Sequence, residues 1–488
     1  MSRLARLLDV ILTVATFLLA IGLPLGGASD AIGQAAADRS WTIGTDDPPA
    51  GLWMDKAYGT RVNDHTWRTP DGVEVRAVLS TLQPDRIVWQ ISMSGDWTRR
   101  HEAPIEIHLP WLQTAPRDSL RVYSPYFGGR IVDWNLPRGQ WQHGNAGAWP
   151  GYAYSPLMIF YDDRDGSGVG VTAWNDQLVF THINWVISGD GQAGPFVSFH
   201  PYLDRGQTLN AVLEIRKYEK GLPDAHLHHY RQAFLLPWMD KLKITEATCD
   251  VVGPWTSSDW PSVDGRQYRR GDLCRIVRGL MNNGARGYIQ WSSGEPRPET
   301  YVFEPDHRKY PWFAEYAAAS TLLNGNFGCL IAPQFTGMDG TPANFRAARH
   351  RQFIDKLRAD LKAAGVRYVY WDAAQCPQGT WWWIEPFDWL QLMLDWRAEG
   401  ITVIPESSSD VAVVASGATL FYPAELHDQR MPGIITPRGK IFMLNSARID
   451  WIQPALERGF VPIMDWRQFR QWKAATRPAS TTQGFRDR

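Results

Sequence analysis

The stretch VRYVYWDAAQCPQGTWWWIEPFDWLQLMLDWRAEGITVIPE, residues 366–406, contains two strand-like runs with one helix-like run between them. VRYVYW and ITVIP are short and mostly apolar or aromatic, which is typical of strands that are buried on both faces. The helix-like run over residues 387–400 ends at Gly400, a residue type that often terminates a helix. A strand–helix–strand unit of this kind predicts parallel strands covered by helices.

The same alternation continues on both sides of this unit. Further strand-like runs occupy residues 285–293, 327–335, 418–426, 440–450 and 459–466. Six or more strands over about 250 residues suit a (β/α)8 barrel, TIM-like, in which some units can be degenerate. A doubly wound sheet is the alternative, although no GxGxxG motif follows a first strand and the sequence contains no P-loop.

The chain before residue 223 has a different character. Residues 38–222 consist of short runs of alternating apolar and polar residues, separated at intervals of about 8 to 15 residues by Gly, Pro, Asp and Asn. DDRDGSGVG, at 162–170, is a strong hairpin signal. The sequence therefore predicts a β-sandwich over residues 38–222, the barrel over 223–475 and a disordered tail over 476–488.

The N-terminus has the pattern of a secretory signal. Two arginines precede an apolar run over residues 10–27, and small residues follow, with a candidate cleavage site at residues 35–37. We expect residues 1–37 to be a cleaved signal peptide and the protein to be exported to the periplasm or the medium. The apolar run of about 18 residues leaves an uncleaved N-terminal anchor as the alternative. No later apolar stretch is long enough to span a membrane.

The composition points to carbohydrate and away from nucleic acid. Lys and Arg number 50 and Asp and Glu 51, with no long basic tract that would indicate a nucleic-acid surface. The 25 tryptophans are unusually many for one chain. Their flat apolar faces can stack on sugar rings, although large cores also use tryptophan. The expected partner is an oligosaccharide or polysaccharide.

Cysteines and histidines give no pattern for a metal or a cofactor. The four cysteines, at positions 249, 274, 329 and 376, have no CxxC spacing. In an exported protein the nearest pair, Cys249 and Cys274, could form a disulfide, and free buried thiols are an equally good interpretation. HLHHY, at 226–230, falls on an expected linker helix without an HExxH motif. We therefore expect neither a metal site nor an organic cofactor.

Asp372 and Glu406 end the two strands of the opening stretch. In a parallel barrel the catalytic groups lie at the carboxyl ends of the strands. Adjacent strands are about 4.8 Å apart, so carboxylates that end two neighbouring strands can face each other. A retaining glycosidase needs two carboxyl groups about 5 to 5.5 Å apart, one ionised and one protonated. For each carboxylate taken alone, a polar end to a buried strand is the alternative interpretation.

Other side chains near expected strand ends are candidates for substrate contacts. Trp381, Trp382 and Trp383 lie in the loop after Asp372 and could line a cleft or pack on the sandwich. The remaining candidates for substrate binding are Trp291, Gln334, Trp371, Asn445 and Arg448. A rival set of catalytic groups consists of Glu425, His427 and Asp428.

Three motifs of this sequence resemble segments of known enzymes. They are WPGYAYSPLMIFYDDRDGSGVGVTAWN (149–175), VRYVYWDAAQC (366–376) and VIPESSSD (403–410). They are similar to the late sandwich segment, the nucleophile strand and the acid/base strand of a clan of retaining glycoside hydrolases. This clan includes the endo-α-N-acetylgalactosaminidases and, more distantly, the melibiase α-galactosidases. The resemblance implies a galactose-mutarotase-like sandwich before the barrel, with Asp372 as nucleophile and Glu406 as general acid/base.

The first functional hypothesis is therefore an exported retaining glycoside hydrolase that acts on an α-linked, galactose-configured glycoside. The alternative is a carbohydrate-binding or envelope protein that keeps a glycosidase-like scaffold without the activity. The two hypotheses differ in geometry, because an enzyme should hold both carboxyl groups at an open pocket.

Overall fold

The computed structural model has antiparallel sheets in the first half of the chain and a parallel sheet in the second half. The described residues are 41–45, 51–95, 104–126, 128–200, 208–258, 262–263, 266–267, 272–290, 312–331, 348–371, 386–406, 409–421, 430–445 and 449–476. They belong to one compact unit, Ser40–Arg488. The expected signal peptide and the tail from residue 477 onward lie outside the described residues.

Fifteen strands precede residue 219 in this part of the chain. They are β1 (Thr42–Ile43), β2 (Thr60–Asn63), β3 (Thr66–Arg68), β4 (Glu74–Gln83), β5 (Arg86–Ser94), β6 (Ile105–His108), β7 (Leu112–Gln113), β8 (Leu120–Ser124), β9 (Arg130–Asp133), β10 (Trp141–Trp149), β11 (Leu157–Asp162), β12 (Gly168–Trp174), β13 (Phe180–Ser188), β14 (Gln192–His200) and β15 (Thr208–Tyr218). One antiparallel sheet has the order β2-β3-β4-β5-β15-β12-β11-β8-β9. The other has the order β1-β7-β14-β13-β10, and β6 also pairs with β14.

The residue pattern of each strand follows its place in the sheets. In β4, Val75 and Ala77 are buried while Glu74 and Arg76 are exposed, as expected for a strand with one face toward the core. The central strands β11 and β12 are buried along their whole length. They form the hairpin predicted from DDRDGSGVG, whose turn places Gly166 at φ +69°. A left-handed backbone at this point favours glycine.

The second half of the chain alternates strands and helices. Its elements are α1 (Asp224–Tyr230), a π-helical turn (Arg231–Leu235), α2 (Leu236–Leu242), β16 (Trp255–Ser258), β17 (Ser262–Val263), β18 (Arg266–Gln267), α3 (Asp272–Asn282), β19 (Gly287–Gln290), α4 (Trp312–Leu322), β20 (Phe327–Ile331), α5 (Ala348–Ala363), β21 (Tyr368–Trp371), α6 (Pro386–Ala398), β22 (Thr402–Pro405), α7 (Asp410–Ser416), β23 (Ala418–Phe421), α8 (Arg430–Ile435), β24 (Lys440–Asn445), a 3-10 turn (Ile449–Trp451), α9 (Ile452–Glu457), β25 (Val461–Asp465) and α10 (Trp466–Thr476). The predicted domain boundary at residue 223 falls between β15 and α1.

Eight of these strands form one parallel sheet in the order β22-β21-β20-β19-β16-β25-β24-β23. Each is followed in the chain by a helix, and the end strands β22 and β23 contact each other, so that the sheet is nearly closed. The predicted barrel architecture is therefore present, with short helices α7, α8 and α9. None of the described helices combines the length and apolar character that a membrane span requires.

The centre of the barrel is filled by side chains from its strands. Trp255 of β16 packs edge-on against Tyr368 and Phe442, with ring centroids 5.1 and 5.3 Å apart. Gly287 of β19 makes room for this indole, because a Cβ atom at that position would lie 2.2 Å from the Trp255 ring. The remaining members of the interior cluster include Ile289, Tyr370, Ile404, Leu420, Val461 and Ile463. The interior of the barrel is thus a packed, mostly apolar core.

Candidate active site at the barrel mouth

The strands that end before Asp372 and at Glu406 are neighbours. β21 pairs with β22 in parallel, and Trp371 stands opposite Pro405 at the carboxyl end of the pair. The backbone N–H of Glu406 donates to the backbone carbonyl of Trp371 at 3.0 Å, which extends the pairing by one residue. The prediction that these two strands lie side by side in one barrel is confirmed.

Side-chain alternation sets which way Glu406 faces. Tyr370 and Ile404 belong to the interior cluster, whereas Trp371 belongs to the layer between strands and helices. Residues two apart in a strand face the same side, so Glu406 lies on the side of Ile404. Its side chain is 7% exposed. The carboxyl group is therefore held at the rim of the barrel interior, largely withdrawn from water.

Trp371, a predicted substrate contact, lies in the outer layer of the barrel. Its indole is fully buried and its ring centroid is 5.7 Å from that of Trp396 in α6. This contact packs α6 onto β21 and so supports the strand end that precedes Asp372. A role for Trp371 in substrate binding stays a prediction.

The described residues contain only part of the predicted site. Asn445 is the last residue of β24 and stands opposite Met464 of β25, with nothing described of its side chain. The other predicted site residues lie outside the described residues: Asp372, Trp291, Gln334, Trp381, Trp382, Trp383 and Arg448. The same holds for the rival set, Glu425, His427 and Asp428. Their roles stay predictions.

A buried carboxylate follows Glu406 by four residues. Asp410 is the first residue of α7, and Ser409 caps this helix by accepting a hydrogen bond from the N–H of Ala412 at 3.3 Å. The Asp410 carboxylate accepts from Trp149 Nε1 and Ser155 Oγ, both at 2.8 Å. It therefore ties the β22–α7 segment, which carries Glu406, to the sandwich.

The linker helix completes this network. Tyr230 of α1 donates its hydroxyl to Asp410 at 2.7 Å, and the N–H of Asp410 donates to the carbonyl of Tyr154 at 2.8 Å. Burial raises the pKa of Asp410 to about 6. The hydrogen bonds from Trp149, Tyr230 and Ser155 lower this pKa, but their effect is smaller than that of burial. The sequence did not predict this role, because three of the partners lie more than 170 residues away from Asp410.

A second polar group at the mouth was also missed. Ser257 lies two residues after Trp255 in β16, is buried, and donates to the carbonyl of Met464 at 3.4 Å. The run WTSS has one large apolar side chain, so no strand was predicted there. Its only signal was the preceding Gly-Pro pair, which marks a turn.

Two of the three histidines of HLHHY, His226 and His229, contact the sandwich from α1. His226 is buried between the Thr172 and Tyr218 hydroxyls, at 3.1 and 3.0 Å, and burial lowers its pKa to about 3. His229 contacts the fully buried Glu214 at 2.9 Å. Within the described ranges no group of three or more His, Cys, Asp or Glu side chains could hold a metal ion.

The thiols at Cys249, Cys274 and Cys329 are free. The considered Cys249–Cys274 disulfide is therefore absent from the described part of the chain, and the free-thiol interpretation is the correct one for these two residues. Burial raises the pKa of both thiols. The fold does not depend on a bridge between them.

Together, the described residues form antiparallel β-sheets followed by a nearly closed parallel barrel, with the Glu406 carboxyl group at the carboxyl end of β22. No protein-family model and no curated protein sequence matches the chain. Solved structures match it over most of its length. The ligand-free α-N-acetylgalactosaminidase NagBb from Bifidobacterium bifidum is similar with a TM-score of 0.52 and 13% identity, over 89% of this chain and 84% of that chain.

Two further structures are similar. A quadruple mutant of NagBb gives a TM-score of 0.52 at 11% identity, over 86% of this chain and 87% of that chain. The GH36 α-galactosidase AgaB from Geobacillus stearothermophilus gives 0.49 at 11% identity, over 91% of this chain and 73% of that chain. At these identities the likeness concerns the fold. The chain has a melibiase-like glycoside hydrolase fold, which confirms at that level the resemblance predicted from the sequence.

Proposed function

We propose that the protein is a retaining glycoside hydrolase that cleaves an α-linked, galactose-configured glycoside. The observation that carries this proposal is the pairing of β21 with β22, in which Glu406 N–H donates to the Trp371 carbonyl at 3.0 Å. In the sequence Asp372 directly follows Trp371, the last residue of β21, and Glu406 directly follows Pro405, the last residue of β22. The proposal therefore places both carboxylates at one edge of the barrel. Neighbouring strands are about 4.8 Å apart, close to the separation that a retaining mechanism requires.

The proposed reaction has two displacements. The Asp372 carboxylate attacks the anomeric carbon while Glu406 gives its proton to the glycosidic oxygen, so that the bond to the leaving group breaks and a glycosyl–Asp372 ester forms. Glu406 then takes a proton from a water molecule, which attacks the same carbon and releases Asp372 as a carboxylate. The low exposure of Glu406 supports its place in a site from which bulk water is largely excluded.

The substrate class rests on the fold relatives and on the aromatic loops. NagBb is an α-N-acetylgalactosaminidase by name, which supports a galactose-configured sugar. We propose that the three consecutive tryptophans, Trp381 to Trp383, line the sugar site above β21. The other proposed contacts are Trp291, Gln334, Trp371, Asn445 and Arg448.

Product stereochemistry tests this function. An activated aryl α-galactoside is hydrolysed in an NMR tube and the first sugar anomer released is observed. We expect α-galactose first, followed by mutarotation. β-Galactose as the first product would contradict retention. Sugar binding without any hydrolysis would contradict the enzyme and favour the binding-protein alternative.

Export is part of the proposal and has its own test. The charged and then apolar pattern of the first 37 residues supports cleavage and release to the periplasm or the medium. Mass spectrometry of the protein recovered from its native cells should find a mature N-terminus near residue 38. An intact Met1 in the cytoplasmic fraction would contradict export.

A further inference from the structure

The β-sandwich contains a cleft formed by its own residues. The cleft opens between β9 and β10, which are edge strands of the two antiparallel sheets, and has a volume of about 440 Å³. Small-molecule sites begin at about 300 Å³. The residues that define this β9–β10 cleft are the aromatic Tyr126, Tyr152 and Trp185 and the polar Arg130, Gln142 and His182.

Two glycines make room for the aromatic walls. Trp185 is 3% exposed and lies against β10, where a Cβ atom on Gly144 would be 2.0 Å from its ring. Gly147 has φ +77°, and a Cβ atom there would be 2.5 Å from that of Tyr152. The rings of Tyr126 and Tyr152 are nearly parallel, at 20°, with centroids 6.4 Å apart. The lining of the cleft therefore includes one indole and two nearly parallel phenol rings.

The polar groups of the cleft suit hydroxyl groups. Burial lowers the pKa of His182 to about 4, so near neutral pH its imidazole is uncharged and has one donor and one acceptor nitrogen. The amide of Gln142 also donates and accepts, and the guanidinium of Arg130 donates. No Asp or Glu is among the described residues that line the cleft. Hydroxyl groups of a sugar ring can pair with both donors and acceptors, and the ring's apolar face can stack on an aromatic wall.

We propose that the β9–β10 cleft binds one sugar ring of a saccharide, at a site separate from the Asp372–Glu406 centre. The turn after Tyr126 connects it to the barrel, since a Cβ atom on Gly128 would be 2.4 Å from the ring of Phe421. Phe421 ends β23 at the same edge of the parallel barrel at which Glu406 follows β22. The proposal therefore places a bound saccharide on the part of the sandwich that leads to this contact with the barrel. The site does not depend on the proposed hydrolysis.

The test measures binding of D-galactose, N-acetyl-D-galactosamine, D-glucose and D-glucuronate by saturation-transfer NMR on the full chain. We expect at least one of these sugars to bind. Comparison of the three neutral sugars with D-glucuronate shows whether Arg130 donates to a hydroxyl group or to a carboxylate. Tyr152→Ala should weaken that sugar about tenfold, whereas Tyr152→Phe, which keeps the ring, should have a much smaller effect. His182→Ala should weaken it as well.

A matched control lies on β10, one of the strands that border the cleft. Trp141 of β10 is 47% exposed and does not line the cleft, so Trp141→Ala removes an indole from the sandwich surface and should leave the affinity unchanged. Thermal unfolding checks that each variant is folded. Wild-type affinity in both Tyr152→Ala and His182→Ala would place the sugar elsewhere and overturn the proposal, as would the failure of all four sugars to bind. Hydrolysis of an aryl α-galactoside is measured in parallel, and its absence would contradict the proposed function and not the cleft.

Discussion

The backbone N–H of Glu406 donates to the backbone carbonyl of Trp371 at 3.0 Å. This one bond fixes the register of β21 against β22 at the carboxyl ends of the two strands. A slip of one residue would turn Glu406 from the barrel interior toward the helix layer, because side chains alternate along a strand. The relationship between the two predicted catalytic positions is therefore set by backbone pairing.

Glu406→Gln should reduce turnover in a way that depends on the leaving group. Loss of the proton donor is expected to cost roughly 10² to 10⁴ in rate for an alkyl leaving group, and far less for a nitrophenolate, which departs without a proton. The measurement is kcat/KM across a series of α-glycosides with graded leaving groups. Glu399→Gln is the matched control, because Glu399 forms surface ion pairs with Lys362 and Arg358. An equal loss for all leaving groups would contradict the acid/base role.

Asp410→Asn should change how stability depends on pH. The pKa of Asp410 is raised to about 6 from its usual 3.8, so the folded protein keeps a proton that the unfolded chain loses between about pH 4 and pH 6. The contribution of this group to the free energy of unfolding is full below about pH 4 and falls as the pH rises through about 6, by up to about 3 kcal/mol. The asparagine amide can donate to the Ser155 and Tyr230 hydroxyls, so the variant should fold.

The measurement is urea unfolding of wild type and variant from about pH 4 to pH 7, taken as a difference. The subtraction is needed because His226, with its lowered pKa, gives the opposite dependence. The wild-type advantage should shrink as the pH rises. Asp395→Asn, which alters an exposed contact with Gln391, should give a flat difference. A wild-type advantage that grows with pH would show that Asp410 is held ionised.

Two glycine substitutions should have opposite effects on stability. Gly170 of β12 lies under the ring of His226, and a Cβ atom there would be 2.3 Å from that ring. Gly170→Ala should therefore lower the free energy of unfolding by about 1–3 kcal/mol. Gly279 of α3 has no atom within 4 Å of the added Cβ, so Gly279→Ala should raise it by about 0.4–1 kcal/mol. Equal effects in chemical unfolding would contradict the packing of α1 on the sandwich.

The barrel could be predicted from the sequence because its clearest strand–helix units repeat a local pattern. Continuous apolar strands such as TVIP of β22, each followed by a helix, predict parallel neighbours without any knowledge of distant contacts. β16 escaped prediction because four residues with two serines and a threonine give no apolar run. The only large apolar side chain of β16 is the fully buried indole of Trp255.

The candidate site could be proposed from the sequence only where polar side chains follow predicted strands. Asp372 and Glu406 could be proposed because parallel strands bring their carboxyl ends to one edge. Asp410 and the β9–β10 cleft could not, since each depends on contacts between segments that are far apart in the chain. Trp149, for example, lies 261 residues from the carboxylate to which it donates. Such contacts follow from the tertiary fold and leave no local pattern.

The central claim is that Asp372 is the nucleophile opposite Glu406, and its most direct test is the hydrolysis of an activated aryl α-galactoside by Asp372→Asn. Such a substrate needs little acid assistance, so the rate of the first displacement reports on the nucleophile. We predict a loss of turnover of roughly 10³-fold or more, in a protein that unfolds at the wild-type temperature. Hydrolysis by Asp372→Asn at near the wild-type rate would contradict the assignment.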